Sequence, residues 1–238
     1  MKNYICISFL LFVLGCANVL APTGGPKDLL PPKLITSNPE IPAVNFEGGL
    51  ITLSFDEYLQ VKNPSSIQIY PSCEPKPTIK VKGKDILIEL NCELDNNTTY
   101  TVNFGQAISD LNEGNILNNF KFVFSESEVL DSLFISGSTI NQYLNTPISG
   151  VFVGLFQTYE NVMENNPYYY TLSDQNGDFK IENIKEGEYY LFSFLDKNNN
   201  LSYDKGELGS RPLSIFHFNQ KYSLNLFDET VSNTIKSV

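Results

Sequence analysis

No tryptophan occurs in the 238 residues, and there are only one histidine, two methionines and four cysteines. With His217 alone, a His-based triad or a His/Cys zinc site is short of parts. A Gly-rich phosphate loop and a G-x-S-x-G elbow are also missing. These gaps argue against the commoner enzyme classes, and a non-enzyme is expected. Positive charge is scarce: 16 Lys and Arg face 27 Asp and Glu, a formal net charge of −11. Such a chain repels phosphate backbones, so no nucleic-acid partner is expected. Helix-forming stretches rich in Ala, Met and Leu are lacking. What is abundant is Phe (17), Tyr (13) and β-branched residues, within a hydrophobic share of 42% that can fill a core. That composition leans towards strands.

The N-terminus carries the clearest signal. Met1-Lys2-Asn3 is followed by an almost wholly apolar run from Tyr4 to Leu14. As a helix this run would rise only about 16 Å, short of the ~30 Å hydrocarbon core. The layout is that of an export signal rather than an anchor helix. The run ends Val13-Leu14-Gly15-Cys16-Ala17, which resembles the bacterial lipobox. The resemblance implies cleavage between Gly15 and Cys16, a diacylglyceryl thioether on the Cys16 thiol and a further acyl (palmitate-type) chain on its amine. Several chains at ~0.8 kcal/mol per buried CH₂ make a stable anchor. The competing reading is an ordinary signal peptide that happens to contain Cys16. Residues 1–15 are thus expected to be a lipoprotein signal peptide. Residues 16–31, rich in Pro and Gly, form a lipidated tether between membrane and folded part.

Downstream, period-two alternation dominates. Ile51, Leu53 and Phe55 alternate with Thr52 and Ser54; Ile79 and Val81 precede a Gly83-Lys84 turn to Ile86, Ile88 and Leu90. Tyr100, Val102 and Phe104, then Phe120, Phe122 and Phe124, continue the pattern. Each is a half-buried strand, and about seven in ~95 residues suit an antiparallel sandwich over residues 32–126. The order of motifs resembles the bacterial Ig-like domain of the SbsA type. It runs Pro31-Pro32-Lys33-Leu34, Leu53-Ser54-Phe55-Asp56-Glu57-Tyr58, Leu94 to Val102, then Asp110 to Asn115. With Pro22-Thr-Gly-Gly-Pro-Lys-Asp28 ahead of it, the arrangement is similar to a Bacteroidetes family of envelope lipoproteins. That resemblance implies a fold and an address, and no reaction.

A second module is expected over residues 130–227. Pro147 to Val153, Thr171 to Ile181 and Ile184 to Leu191 are similar to the carboxypeptidase-regulatory-like, transthyretin-like sandwich. Asn176-Gly177 reads as a tight hairpin turn, and the strand running to Leu195 as a central one, apolar on both faces. Residues 228–238 are polar and read as a tail. The fold class expected is therefore all-β: two antiparallel β-sandwich domains, Ig-like then transthyretin-like.

Several constellations admit a sharp and a plain reading. Asp196, Asn198, Asn200, Ser202, Asp204 and Glu207 fall at EF-hand ligand positions, a candidate calcium loop. Leu201 replaces the usual Gly at position 6, and the flanks are strands. The plain reading is an Asn-rich hairpin bonding its own backbone. Cys73 and Cys92 are the cysteines of the folded part, and the Gly83-Lys84 hairpin sets position 73 opposite about 94. An exported compartment favours a bond over two free thiols. It would close a loop worth about 3 kcal/mol. Asp131-Ser132-Leu133 matches a three-residue O-glycosylation motif of exported Bacteroidetes proteins, with Ser132 as acceptor, although matches this short arise by chance. Asp56-Glu57 reads as a solvated strand end, His217 as a strand-surface residue, and Tyr168-Tyr169-Tyr170 as a strand covered on both faces.

The function expected is a lipid-anchored, non-enzymatic scaffold or binding module. It would sit at the outer membrane, periplasmic face favoured over cell surface, with an unknown envelope protein or glycan as partner. Ala17 after the lipid Cys favours outer-membrane delivery, and no acidic run follows Cys16 to mark surface export. The alternatives are a calcium-dependent glycan-binding protein using the 196–207 loop and the tyrosine run, and a glycosidase using Asp56, Glu57 or Asp110.

Overall fold

The computed structural model describes residues 27–62, 64, 67–198 and 202–228. Gly15, Cys16, the leader, most of the tether and nearly all of the tail lie outside the described residues. So do Asn200 and Leu201 of the candidate calcium loop.

Nine strands make the first unit: β1 (Leu34–Asn38), β2 (Leu50–Phe55), β3 (Leu59–Val61), β4 (Gln68–Tyr70), β5 (Thr78–Lys82), β6 (Asp85–Glu89), β7 (Thr99–Gly105), β8 (Ile108–Asp110) and β9 (Phe120–Ser125). One sheet runs β1-β2-β6-β5, a second β4-β7-β9, and β3 pairs with β8. The alternation read from the sequence determines the packing. Ile51, Leu53 and Phe55 of β2 and Ile86 and Ile88 of β6 face Tyr100, Val102, Phe104, Phe122 and Phe124 from the opposite sheet, all buried. The Tyr100 ring stacks on Phe124 at 5.4 Å, and its hydroxyl accepts the Asp95 N–H at 2.8 Å. This is the corner device by which a buried tyrosine ties a strand to the turn before it.

The second unit contains β10 (Leu133–Asn141), β11 (Thr146–Pro147), β12 (Phe152–Phe156), α1 (Tyr159–Met163), β13 (Tyr169–Leu172), β14 (Asp178–Ile184), β15 (Tyr189–Phe194), β16 (Leu213–Ile215) and β17 (Gln220–Leu226). One sheet centres on β10, flanked by β14, β17 and the short β11; the other runs β13-β12-β15-β16. Ile135, Val153, Leu155, Ile181, Leu191 and Leu224 lie between them. A further apolar layer, Phe152, Phe156, Phe192 and Phe194, lies on the outer face of β12 and β15 under Val162 of α1 and the Tyr203 ring. Both central strands are therefore covered on two faces, as the unbroken apolar run to Leu195 requires.

The fold is nearly all β, and the strands named above pair antiparallel except that β10 and β17 run parallel, Ile135 opposite Gln220 through Asn141 opposite Leu226. Two local expectations are corrected. Among the described residues the first unit has nine strands rather than about seven, the additional ones being short: β3, β4 and β8 have three residues each. The turn at Asn176-Gly177 is not a hairpin. It carries the chain from β13 to β14, which lie in different sheets, with the Asp174 carboxylate accepting the N–H groups of Asn176 and Asp178. A short helix, α1, also interrupts the β pattern, started by the Thr158 hydroxyl accepting the Asn161 N–H at 3.2 Å.

Candidate functional site

Acidic groups gather at one end of the first unit. Glu57, Asp110 and Glu113 place carboxylate oxygens within 4.8 Å of one another. Asp110, the last residue of β8, is fully buried. Its Oδ1 accepts the N–H groups of Glu113 (2.6 Å) and Gly114 (2.9 Å), and its Oδ2 that of Asn115 (2.6 Å). Burial pushes against the charged form, but the N–H bonds from Gly114, Glu113 and Asn115 outweigh it and hold the Asp110 carboxyl below its ordinary range. Glu57 moves the other way: burial first, then Asp28, Asp56, Asp110 and Glu113, raise it. Asp56 accepts the Lys33 N–H at 2.7 Å, which clips the residue before β1 to the end of β2. β2 stops at Phe55, so Asp56 and Glu57 lie in the bend beyond it. Asp56 and Asp110 are thus engaged by backbone groups, and Asp110 organises a five-residue loop.

Cys73 and Cys92 are joined by a disulfide with a Cα–Cα distance of 5.5 Å. The β5–β6 register pairs Lys82 with Asp85 and Thr78 with Glu89. Extended outwards, that register brings the chain before β5 alongside the chain after β6. Cys73 is buried against the first core.

In the candidate calcium loop, Tyr203 lies over the outer aromatic layer, edge-on to Phe192 at 5.5 Å. Glu207 is buried; its carboxylate accepts the Lys197 N–H at 2.8 Å and the Asp204 N–H at 3.1 Å. The Asn198 amide donates to Asp204 Oδ2 at 2.8 Å. Asp196 and Ser202 are half-buried in the same loop. In this arrangement Glu207 closes the loop through backbone donors.

The two units meet in a polar and aromatic junction. Thr99 N–H donates to Asp131 Oδ2 at 3.1 Å while Asp131 N–H donates to the Thr99 hydroxyl at 2.7 Å. The Asn183 amide reaches the Asp131 carbonyl at 3.0 Å. Lys185 donates to Asn96 O and Thr98 Oγ1, Tyr168 OH to Asp95 Oδ2 at 2.8 Å, and Lys121 pairs with Glu182 at 2.9 Å. Tyr70 of the first unit packs among the second unit's core, 6.5 Å from the Tyr169 ring and 6.2 Å from Tyr170. Beside it opens a cleft of about 430 Å³ walled by Ile67, Ile79 and Val102 on one side and Phe152, Pro167 and Tyr170 on the other.

Comparison with known proteins assigns the first unit. Residues 28–126 match the bacterial Ig-like domain. No curated protein matches the chain. Among solved structures, a D312A variant of BcpA, the major pilin subunit of Bacillus cereus, is similar at 11% identity and a TM-score of 0.27, over 82% of this chain and 70% of that one. The N-terminal part of the bacterial S-layer protein SbsC is similar at 12% identity and 0.30, over 78% and 44%. The pilus 2b backbone protein of group B streptococcus is similar at 9% and 0.28, over 85% and 99%. Likeness this remote carries no argument about function.

The remaining candidates fall around the Ig-like domain and its neighbour. The three tyrosines divide: Tyr168 bonds Asp95, Tyr169 is buried in the second core, and Tyr170 lines the cleft. Burial pushes the Tyr170 phenol up to about 12. Ser132 is exposed beside the Asp131 contact. His217 is exposed but lies in the loop after β16, not on a strand; the Tyr222 hydroxyl donates to its carbonyl at 2.7 Å. Sequence reasoning missed Asp131 and Thr99 as partners, because their pairing joins residues 32 apart, one on β7 and one in the connection before β10. It missed Glu113 as well, although the Asp110-to-Asn115 spacing of short polar residues and Gly was a signal for a carboxylate-capped turn.

Proposed function

We propose that this chain is a non-enzymatic envelope protein, anchored by lipid on Cys16, in which an Ig-like domain and a second β-sandwich form one scaffold or binding unit. The junction carries the reading. Reciprocal Thr99–Asp131 bonds and the Tyr70 ring set into the second core suit a spacer that holds its distal loops at a fixed orientation. An interface of this kind would resist the hinge motion that is otherwise the default between linked domains. The glycosidase alternative is disfavoured by Asp110, whose two oxygens accept three backbone N–H groups. The address, outer membrane with the periplasmic face favoured, rests on Gly15-Cys16-Ala17. No helix of the described residues is long and apolar enough to cross a membrane.

The test is metabolic labelling of cells with a fatty-acid probe. The wild-type chain should be labelled and float with outer-membrane fractions, and Cys16→Ala should lose both properties. Labelling that survives Cys16→Ala sinks the anchored reading. Cross-linking of intact envelopes followed by pull-down then identifies the partner class.

A further inference from the structure

The end of the Ig-like domain around the 111–116 loop exposes apolar side chains where soluble domains usually present charge. Leu29, Leu30, Tyr58, Leu111 and Ile116 are between 39% and 75% exposed. Hydrogen bonds place them in one neighbourhood: the Asn115 amide donates to Asp28 O at 3.2 Å, and Leu111 N–H donates to Tyr58 O at 2.8 Å. Ser109 and Ile116 form an isolated bridge beside them. This neighbourhood follows in the chain beyond the junction contacts that line β7 and β9. Along β7, Thr99 at the start of the strand bonds Asp131, Lys121 opposite Asn103 pairs with Glu182, and Gly105 lies beyond both, about 20 Å on from Thr99. β8 and the 111–116 loop follow there, and β2 runs the same way from Leu50 to Phe55. Scattered exposed leucines need no explanation, but several together around one corner do.

The chain itself points to the occupant. The described chain begins at Lys27, at this same corner. Lys27 lies only eleven positions after Cys16, a contour of at most about 40 Å. A lipid on Cys16 therefore keeps this corner, and not the far end of the second unit, within reach of the bilayer. We propose that the exposed apolar corner around Leu29, Leu30, Tyr58, Leu111 and Ile116 is a membrane-contact face that seats against a zwitterionic lipid surface. The inference rests on the anchored reading. Tethering raises the local concentration of lipid, so a contact too weak to recruit the free chain suffices to orient the anchored one. Tyrosine and leucine at the headgroup boundary are the side chains such a contact uses. Asp28, Asp56, Glu57, Asp110 and Glu113 flank the corner, so an anionic surface would repel it and a zwitterionic one would not.

The absence of native tryptophan makes the test direct. Mature chain beginning at Cys16 is coupled through that thiol to a maleimide phospholipid, Cys73 and Cys92 being bonded to each other. Coupling is done in phosphatidylcholine vesicles containing brominated chains, and flotation verifies it. Leu111→Trp emission should then fall roughly twofold on brominated vesicles, while Leu144→Trp, in the loop between β10 and β11, should be unaffected. Leu29→Ser with Leu30→Ser in the Leu111→Trp background should restore emission, and so should anionic lipid. Full emission from Leu111→Trp on floated vesicles would overturn the proposal. So would equal quenching at Leu144→Trp, or quenching that rises with anionic lipid. Because the anchor is imposed chemically, a negative result here is separate from a negative fatty-acid labelling of cells, which bears on anchoring alone. Circular dichroism of each variant checks that the fold is kept.

Discussion

Asp110 is a buried charge held by backbone rather than by a counter-ion. Its folded pKa lies below its unfolded one, because the bonds from Gly114, Glu113 and Asn115 overcome the burial that opposes ionisation. A depressed carboxylate contributes stability above the ordinary carboxylate range and loses it as pH falls through the depressed value. Asp110→Asn leaves one acceptor where two are used and turns an amide N–H towards a backbone N–H. We expect urea melts at pH 7 to show a clear loss of stability for Asp110→Asn, and the gap to the wild type to narrow at pH 3. A gap independent of pH would mean the loop needs the shape of Asp110 and not its charge. Gly137 gives a steric counterpart. A Cβ there would lie 1.9 Å from the Tyr222 carbonyl oxygen on β17 and 2.8 Å from the Phe179 ring. The backbone must move, so Gly137→Ala should cost about 3 kcal/mol by thermal or urea unfolding. A neutral variant would show that the parallel β10–β17 pairing gives way easily.

Among elements, strands and their inner faces were legible because a period of two is written in local sequence: β2 and β6 bury the residues the alternation selects, and β9 buries Phe122 and Phe124 with Phe120 half-buried. What was not legible depends on partners distant in sequence. Thr99 and Thr101 of β7 look like solvent-facing residues, yet both are buried. β17 pairs parallel to β10 only because the chain returns from 85 residues away. The turn at Gly177 crosses between sheets, and composition alone does not distinguish a crossing from a hairpin. Two expectations belong at this scale. Reducing Cys73–Cys92, or replacing both with Ser, removes a constraint on a loop of 19 residues in the unfolded chain. It should lower stability by about 3 kcal/mol, read as a shift in urea midpoint with the fold retained. In the 196–207 loop, Glu207 already binds the backbone at Lys197 and Asp204. Calcium and magnesium at 10 mM, a trial concentration about tenfold above the weak extracellular range, should therefore shift Tm equally little. Glu207→Ala should destabilise with or without metal. A calcium-specific rise abolished by Asp196→Ala would reinstate the loop as a calcium site.

At the scale of the molecule, stability and orientation both depend on the junction. Two linked sandwiches with separate cores would unfold in two steps if the contact between them were slight. Here Tyr70, carried by β4 of the Ig-like domain, is 3% exposed and belongs by packing to the second core. Asp131 bonds Thr99 in both directions, and Lys185 reaches two groups of the 96–98 turn. Opening the junction would leave a cavity in one unit and unpaired polar groups in both, costs that act together. The wild type should therefore unfold in a single calorimetric transition, with the van't Hoff and calorimetric enthalpies agreeing. Tyr70→Ala should cost about 3 kcal/mol and, combined with Asp131→Ala, should divide the transition in two. The Ig-like domain should then keep most of its own stability, because its buried rings face one another and not the junction. Two resolved transitions in the wild type would refute a rigid unit, and the protein would then present its distal loops on a hinge.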